Sequence, residues 1–164
     1  MNDDTIYFAK IKPTAQIPYK RDEDWCYDIY ACFDENELIL KPFTTTLVPT
    51  WIASIFNKKY RIWIRERSSN SKTTLKVSAG QIDSGYRWEY FVALYNGNEI
   101  PVEISKSVNE IVKTHQLIRH PYSKAIAQFA IELVPQTSIQ EVSYEEIQKI
   151  VSERGIWALW SSGK

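Results

Sequence analysis

Residues 75–95 carry the pattern of two β-strands joined by a turn. Leu75 and Val77 flank a polar residue, Ser84-Gly85 has the composition of a tight turn, and residues 90–95 form a run of aromatic and aliphatic side chains. Such a pattern is typical of a β-hairpin. We expect the rest of the chain to be organised around this hairpin.

The predicted hairpin tip places a carboxylate, an aromatic ring and a guanidinium close together in the sequence, between Asp83 and Arg87. The Asp83 carboxylate can polarise a water, and the Tyr86 ring can offer a flat face to a planar ligand. Backbone near Gly80 can approach that ligand closely because glycine has no side chain. An ordinary turn, in which Asp83 caps its own backbone and Tyr86 covers the edge of the core, explains the same residues. The tip alone leaves both interpretations open.

Length and charge favour a single domain without general affinity for polyanions. The 164 residues are enough to bury roughly two thirds of the unfolded surface. Twenty basic and twenty acidic side chains give a formal net charge of zero, so any anion site has to be local. The chain lacks an apolar run of membrane-spanning length and the order of a signal peptide. We therefore expect a cytoplasmic protein that binds neither membranes nor nucleic acid polymers.

The cysteines and histidines predict neither a disulfide nor a metal centre. On an extended segment Cys26 and Cys32 would lie roughly 20 Å apart, beyond the limit of roughly 7 Å between bridged α-carbons. Both are expected to be free thiols. Neither His115 nor His120 has a His or Cys neighbour at the spacing of a zinc or iron site.

Short β-runs separated by turn residues and prolines fill most of the chain. Predicted strands include residues 6–11, 27–32, 60–65 and 125–134. In the second of these, Asp28 falls on the face opposite to Tyr27 and Ile29. Simple exposure to solvent explains that placement as well as a function does.

Residues 65–72 interleave basic groups with serine hydroxyls and an amide. Phosphate oxygens need charge neutralisation and several directional donors, and arginine with serine hydroxyls and turn N–H groups supplies both. A solvated charged loop is the alternative interpretation.

Helix signals interrupt the β-pattern twice. Ser107 and Glu110 are spaced as a capping box, which predicts a short surface helix within residues 104–119. Ser143 and Glu146 form a second capping box, followed by an apolar stripe that continues to Arg154. The residues beyond it add little core, and we expect them to form an arm that folds over something else.

Five segments in chain order resemble the five motifs of the trimeric dUTPase family, the dUTP diphosphatases. The resemblance spans nearly the whole chain apart from an insertion near 100–120. The third segment, Gly-Gln-Ile-Asp-Ser-Gly-Tyr-Arg, is specific, and the second, Arg-Ser-Ser, is fairly so. The segments are 26–31, 67–69, 80–87, 125–128 and 154–163.

The resemblance implies an all-β, jelly-roll type β-barrel with one or two short helices, assembled as a homotrimer with active sites between subunits. It implies hydrolysis of dUTP to dUMP and pyrophosphate with Mg²⁺. The barrel domain is expected to span residues 1–153, and residues 154–164 to form a C-terminal arm that closes over a neighbouring subunit's site.

The resemblance also implies roles for individual residues. Asp83 would activate the attacking water, Tyr86 would pack under the deoxyribose, and Asp28 would hold the Mg²⁺ ion through its water shell. Backbone around Gly80 would read the uracil edge. The other residues expected to bind substrate are Arg67, Ser68, Ser69 and Gln128 and, in the arm, Arg154, Leu159, Trp160, Ser161 and Ser162.

The chain departs from the family pattern at several glycine positions. Trp157 and Trp160 occupy two of them in the fifth motif, where Leu159 also replaces the aromatic that usually stacks on uracil. Trp88 replaces the glycine after Tyr-Arg in the third motif. Trp160 could take over the stacking, or the tryptophans could block closure and leave a weakened protein that binds or sequesters a nucleotide or binds a protein partner. The related dCTP deaminase is disfavoured because residues 93–96 lack the glutamate expected as its proton carrier.

Overall fold

The computed structural model describes residues 2–151, which form a nearly all-β protein with one short α-helix. The all-β class predicted from the sequence is therefore confirmed. Within this range no helix has the length and apolar character needed to cross a membrane. The elements are β1 (Tyr7–Lys10), β2 (Tyr27–Ile29), β3 (Glu37–Leu40), β4 (Thr45–Pro49), β5 (Ile52–Ile55), β6 (Tyr60–Arg65), a 3₁₀ turn (Ser68–Lys72), β7 (Leu75–Val77), β8 (Gln81–Ile82), β9 (Phe91–Asn96), β10 (Val102–Ser105), β11 (Val112–Lys113), β12 (Ile118–Pro121), β13 (Ala127–Leu133) and α1 (Tyr144–Gln148).

The strands of the described residues pair into four sheets, ordered β1-β5, β11-β12-β10-β3, β2-β13-β6-β8 and β4-β9-β7. Pairing is antiparallel except between β10 and β12, which run parallel. The sheets are jelly-roll-like but do not join into one closed barrel. Two of the eight candidate site residues that the structure describes lie on strands of the β2-β13-β6-β8 sheet, and the other six lie in the segments that follow β6 or flank β8.

Alternation along β6 separates a buried face from a polar one, as the sequence predicted. Ile62 and Ile64 are buried, whereas Trp63 and Arg65 are exposed. Phe129 of the neighbouring β13 is fully buried and packs with the same core. Because strand side chains point alternately to the two faces, the opposite face of this sheet is left to polar groups.

The predicted hairpin is confirmed as the antiparallel pair β7 and β9, with Leu75 opposite Asn96. Its strands are not joined by a simple turn, however. The chain leaves them after Val77 and forms β8, which pairs with β6 through Ile82 opposite Ile62. Because of this detour, the residues that follow β8, including Asp83, begin at the edge of a different sheet.

The surface helix predicted within residues 104–119 is wrong. This segment contributes to strands β10, β11 and β12, in which Ile104 and Ile118 are fully buried. The Ser107 hydroxyl hydrogen-bonds to the Ser105 hydroxyl at 2.8 Å. β-branched side chains that bury one face of a sheet outweigh a local capping pattern, so the segment belongs to the β-structure.

Residues 135–151 extend from the last strand with exposed side chains. The second capping box is confirmed: the Ser143 hydroxyl accepts from the Glu146 N–H, and the Glu146 carboxylate accepts from the Ser143 N–H. The helix it starts is shorter than predicted, because it ends at Gln148. The arm residues predicted to bind substrate lie outside the described residues: Arg154, Leu159, Trp160, Ser161 and Ser162.

Candidate functional site

Asp28 and Arg67 form a bidentate ion pair on the outer face of the β2-β13-β6-β8 sheet. The Arg67 Nε lies 2.8 Å from Asp28 Oδ1, and its Nη2 donates to Oδ2 at 3.1 Å. Asp28 reaches this face because it alternates with two residues that point to the core. Charge-assisted bidentate pairs are specific in geometry. An anion that recruits Arg67 therefore has to release Asp28.

The loop after β6 is anchored by Asn70, which the sequence analysis did not single out. Asn70 is buried, and its Nδ2 donates to the Ile126 carbonyl at 3.1 Å. The same loop places the Ser69 hydroxyl 3.4 Å from Arg67 Nη1 and starts its 3₁₀ turn at Ser68. The anchor fixes the backbone that presents the hydroxyls beside the guanidinium. An amide within a serine-rich loop was the available signal.

Gln128 completes a cleft around the ion pair. It lies opposite Asp28 in the strand register, and its Nε2 donates to the Glu66 carbonyl at 2.8 Å. The cleft has a volume of about 560 Å³ and is lined by Asp28, Arg67, Ser68 and Gln128 among others. The structure thus brings together four residues that the sequence predicted as one functional group.

The opposite rim of this cleft was missed by the sequence analysis. Lys20, Arg21 and Trp25 line it, and the Arg65 guanidinium lies 5.8 Å from the centre of the Trp25 ring. The signal was a run of charged and aromatic residues directly before β2. Asp24 also lines the cleft and pairs with Arg21, as Asp28 pairs with Arg67. Lys20 comes in addition to these two pairs, so the lining has an excess of positive charge that suits an anionic ligand.

Asp83 and Tyr86 line a second cleft of about 600 Å³. Asp83 is exposed, and its Oδ1 accepts a hydrogen bond from Gln81 Nε2 at 2.8 Å. The Tyr86 N–H donates to the Asp83 carbonyl, and the Tyr86 hydroxyl donates to the Glu89 carbonyl at 2.8 Å. The carboxylate and the ring are therefore held on one braced turn.

The close approach of the backbone at residue 80 to strand β6 requires a glycine. A Cβ at this position would lie 2.1 Å from the Ile64 carbonyl oxygen, and the Ile64 N–H donates to the Gly80 carbonyl at 2.7 Å. Gly85 has open space around its Cβ position. Only the first of these two glycines is therefore needed for a close backbone approach.

The two clefts are separate in one chain. In the strand register Asp28 lies opposite Gln128, which lies opposite Arg65. Asp83 directly follows Ile82, which lies opposite Ile62. Three strand spacings across the sheet and about four residues along it correspond to a separation of roughly 20 Å between the α-carbons of Asp28 and Asp83. One copy of this chain does not bring Asp83 to the Asp28–Arg67 cleft.

The donor set limits how a metal ion could be held. Residues 2–151 contain no group of three or more His, Cys, Asp or Glu side chains that could hold a metal, and Cys26 and Cys32 are free thiols, as predicted. Mg²⁺ is commonly held by one or two carboxylates, several waters and substrate phosphates. Asp28 beside an anion cleft fits that kind of site.

A family model described as dUTPase matches residues 12–146 of the chain. A deoxyuridine 5'-triphosphate nucleotidohydrolase of Nautilia profundicola is 31% identical over 163 residues, covering 97% of this chain and 99% of that protein. A protein of the same name from Leptospira interrogans is 34% identical over 95 residues, covering 56% of this chain and 65% of that protein. The Leptospira match thus spans slightly less than two thirds of that relative.

Solved structures share the fold. The dUTPase of Staphylococcus bacteriophage 80alpha, solved with dUPNHPP, has a TM-score of 0.75 at 23% identity, covering 98% of this chain and 99% of that one. A mutant dUTPase from phage phi11 of S. aureus, whose structure shows the coordination of a structural Mg(II) ion, has a TM-score of 0.68 at 20% identity, covering 87% of this chain and 99% of that one. At these identities the likeness supports the architecture alone.

Proposed function

Since the chain belongs to the dUTPase family, we propose that it hydrolyses dUTP to dUMP and pyrophosphate in the cytoplasm, as a homotrimer with active sites between subunits. The observation that carries this proposal is the division of the expected site residues between two clefts roughly 20 Å apart in one chain. One cleft pairs a carboxylate with aromatic surface, and the other surrounds a guanidinium with hydroxyl and amide groups. Each supplies what the other lacks.

The Asp83 cleft suits the deoxynucleoside and the attacking water. The Asp83 carboxylate is exposed and oriented by Gln81, so it can hold a water and accept its proton as phosphorus is attacked and pyrophosphate leaves. The Tyr86 ring, fixed through its hydroxyl, supports the deoxyribose. Backbone beside Gly80 reads the uracil edge.

The Asp28–Arg67 cleft suits the triphosphate. Arg67, Ser68, Ser69 and Gln128 donate hydrogen bonds to phosphate oxygens. Asp28 would hold the Mg²⁺ ion through water, and the ion when bound would offset negative charge on the phosphates. We also expect substrate binding by five residues of the C-terminal arm, which lie outside the described residues: Arg154, Leu159, Trp160, Ser161 and Ser162.

The test is a pyrophosphate-release assay with dUTP and Mg²⁺, run beside UTP, dCTP and dTTP. Turnover of dUTP that is lost in Asp83→Asn supports the proposal. Tight binding of a non-hydrolysable dUTP analogue without any turnover by the wild type contradicts hydrolysis and favours a sequestering protein.

A further inference from the structure

The large apolar side chain of Trp88 is largely exposed in the cleft that Asp83 and Tyr86 line. Its exposed fraction is 70%, and it lines this cleft together with Leu47 and Phe91. Exposed apolar side chains clustered at a groove are typical of surfaces that bind a ligand or another protein. The cleft therefore has an aromatic wall in addition to the carboxylate and the tyrosine.

The backbone on both sides of Trp88 is anchored. On one side the Tyr86 hydroxyl binds the Glu89 carbonyl. On the other side Glu89 Oε1 accepts from the Thr50 and Trp51 N–H groups at 3.1 and 3.0 Å. Trp88 is not among the described non-glycine residues with positive φ, so it occupies this place without left-handed strain. The indole therefore projects from a backbone segment that is hydrogen-bonded on both sides.

Trp88 and Tyr86 form a corner of two rings. Their centroids are 5.5 Å apart and their planes meet at 66°. In a nucleoside the base lies steeply inclined to the sugar, so the two parts can each rest on one ring of such a corner. The described residues that line this cleft include no Lys or Arg, so it suits the uncharged end of a nucleotide, with Asp83 left beside the phosphorus that is attacked.

We propose that Trp88 is a substrate-binding residue of this cleft, whose indole stacks on the nucleobase while Tyr86 supports the sugar. The inference rests on the proposed function, since it names the group that holds the base of the same substrate. Base stacking on an aromatic side chain is a general source of affinity for nucleotides. It differs from stacking by the C-terminal arm because Trp88 belongs to the same turn as Asp83.

The experiment compares wild type, Trp88→Ala and Trp88→Phe, with Phe43→Ala as the control. Phe43 is also an exposed aromatic residue. Binding of dUMP and of pyrophosphate is measured by calorimetry, with the mass of each assembly in solution. Trp88→Ala is expected to weaken dUMP binding roughly tenfold to hundredfold, while Trp88→Phe retains most of it. Pyrophosphate binding, assembly mass and the control remain at wild-type values.

Indole fluorescence gives a second readout. Saturating dUMP is expected to quench the wild type, and Trp88→Phe is expected to bind dUMP without that quench. Unchanged dUMP affinity in Trp88→Ala overturns the inference, and so does a loss shared with pyrophosphate or accompanied by a change in mass. If the wild type neither binds dUMP nor hydrolyses dUTP, the proposed function is refuted as well. If the wild type hydrolyses dUTP and Trp88→Ala binds dUMP with unchanged affinity, only the role of Trp88 is refuted.

Discussion

The two clefts hold their charged groups in different ways. In the first, Asp28 and Arg67 neutralise each other through two short contacts, so a ligand has to separate them. In the second, Asp83 faces solvent and is oriented by a neutral amide. The first cleft therefore favours an anion and a cation that arrive together, each taking one member of the pair. The second is organised in advance for an uncharged ring and a water.

The largest effect is expected from removing the base of the second cleft. Asp83→Asn should lower kcat about 10²- to 10⁴-fold while leaving thermal unfolding unchanged, because the side chain is exposed. Pyrophosphate release measures the first quantity and calorimetry the second. Glu99→Gln, which removes an exposed charge that lines neither cleft, is the control. Equal activity of the two variants would remove Asp83 from the chemistry.

The support of the second cleft is tested by its two glycines. Gly80→Ala should lower the free energy of unfolding by about 3 kcal/mol, because the new methyl group overlaps the Ile64 carbonyl. Gly85→Ala, with open space at its Cβ position, should change it by less than about 0.5 kcal/mol. Urea unfolding at one fixed protein concentration measures both. Similar values for the two variants contradict the close approach of Gly80 to β6.

The pairing in the first cleft is tested by a double-mutant cycle of Asp28→Asn and Arg67→Gln. Both side chains are about 30% exposed, so solvent screening limits the pair's coupling to about 1 kcal/mol of unfolding free energy. Measured without Mg²⁺, pyrophosphate binding should weaken in Arg67→Gln and strengthen in Asp28→Asn, because the second substitution frees the guanidinium from its partner. A coupling near zero would show that the two groups are independent before ligand binds.

The smallest effect concerns His120, whose pKa Arg67 also influences. Burial lowers the pKa of His120, and the charges of Arg67 and Lys124 lower it further against the effect of the Pro121 carbonyl. The unfolded chain then binds more protons below a pH of about 6.5, so stability should fall as pH drops from 7 to 5. Unfolding midpoints across this range measure it.

His120→Gln should flatten that part of the pH profile, whereas substitution of the exposed His115 should leave it. Identical slopes in both variants contradict the role of burial. If the pH dependence of stability remains in Arg67→Gln, it is caused by burial of His120. If it largely disappears, it is caused by the charge of Arg67.

Local patterns predicted much of this structure. The alternation in β6 and the capping box at Ser143 could be predicted because neighbours in sequence determine them. The pairing of β7 with β9 was predicted from two β-runs on either side of turn residues. Asp28 and Gln128 were correctly placed on a polar face for the same reason. The family resemblance then grouped them with the serine-containing loop.

Contacts between distant segments could not be predicted from the sequence. The Asp28–Arg67 pair joins residues 39 positions apart, and the detour of β8 to β6 depends on the space that Gly80 leaves beside Ile64. The incorrect helix within 104–119 has the same origin, since burial of Ile118 against a parallel strand overrides a local helix signal.

The central claim is that one active site takes Asp83 from one subunit and the Asp28–Arg67 cleft from another. Asp83→Asn and Arg67→Gln are each purified and assayed alone, then unfolded together in equal amounts and refolded. If sites are shared, random assembly gives roughly a quarter of them both intact halves, and dUTP hydrolysis should return to about that fraction of wild type. If the refolded mixture is no more active than the two variants assayed separately, each chain holds its own complete site and the account is contradicted.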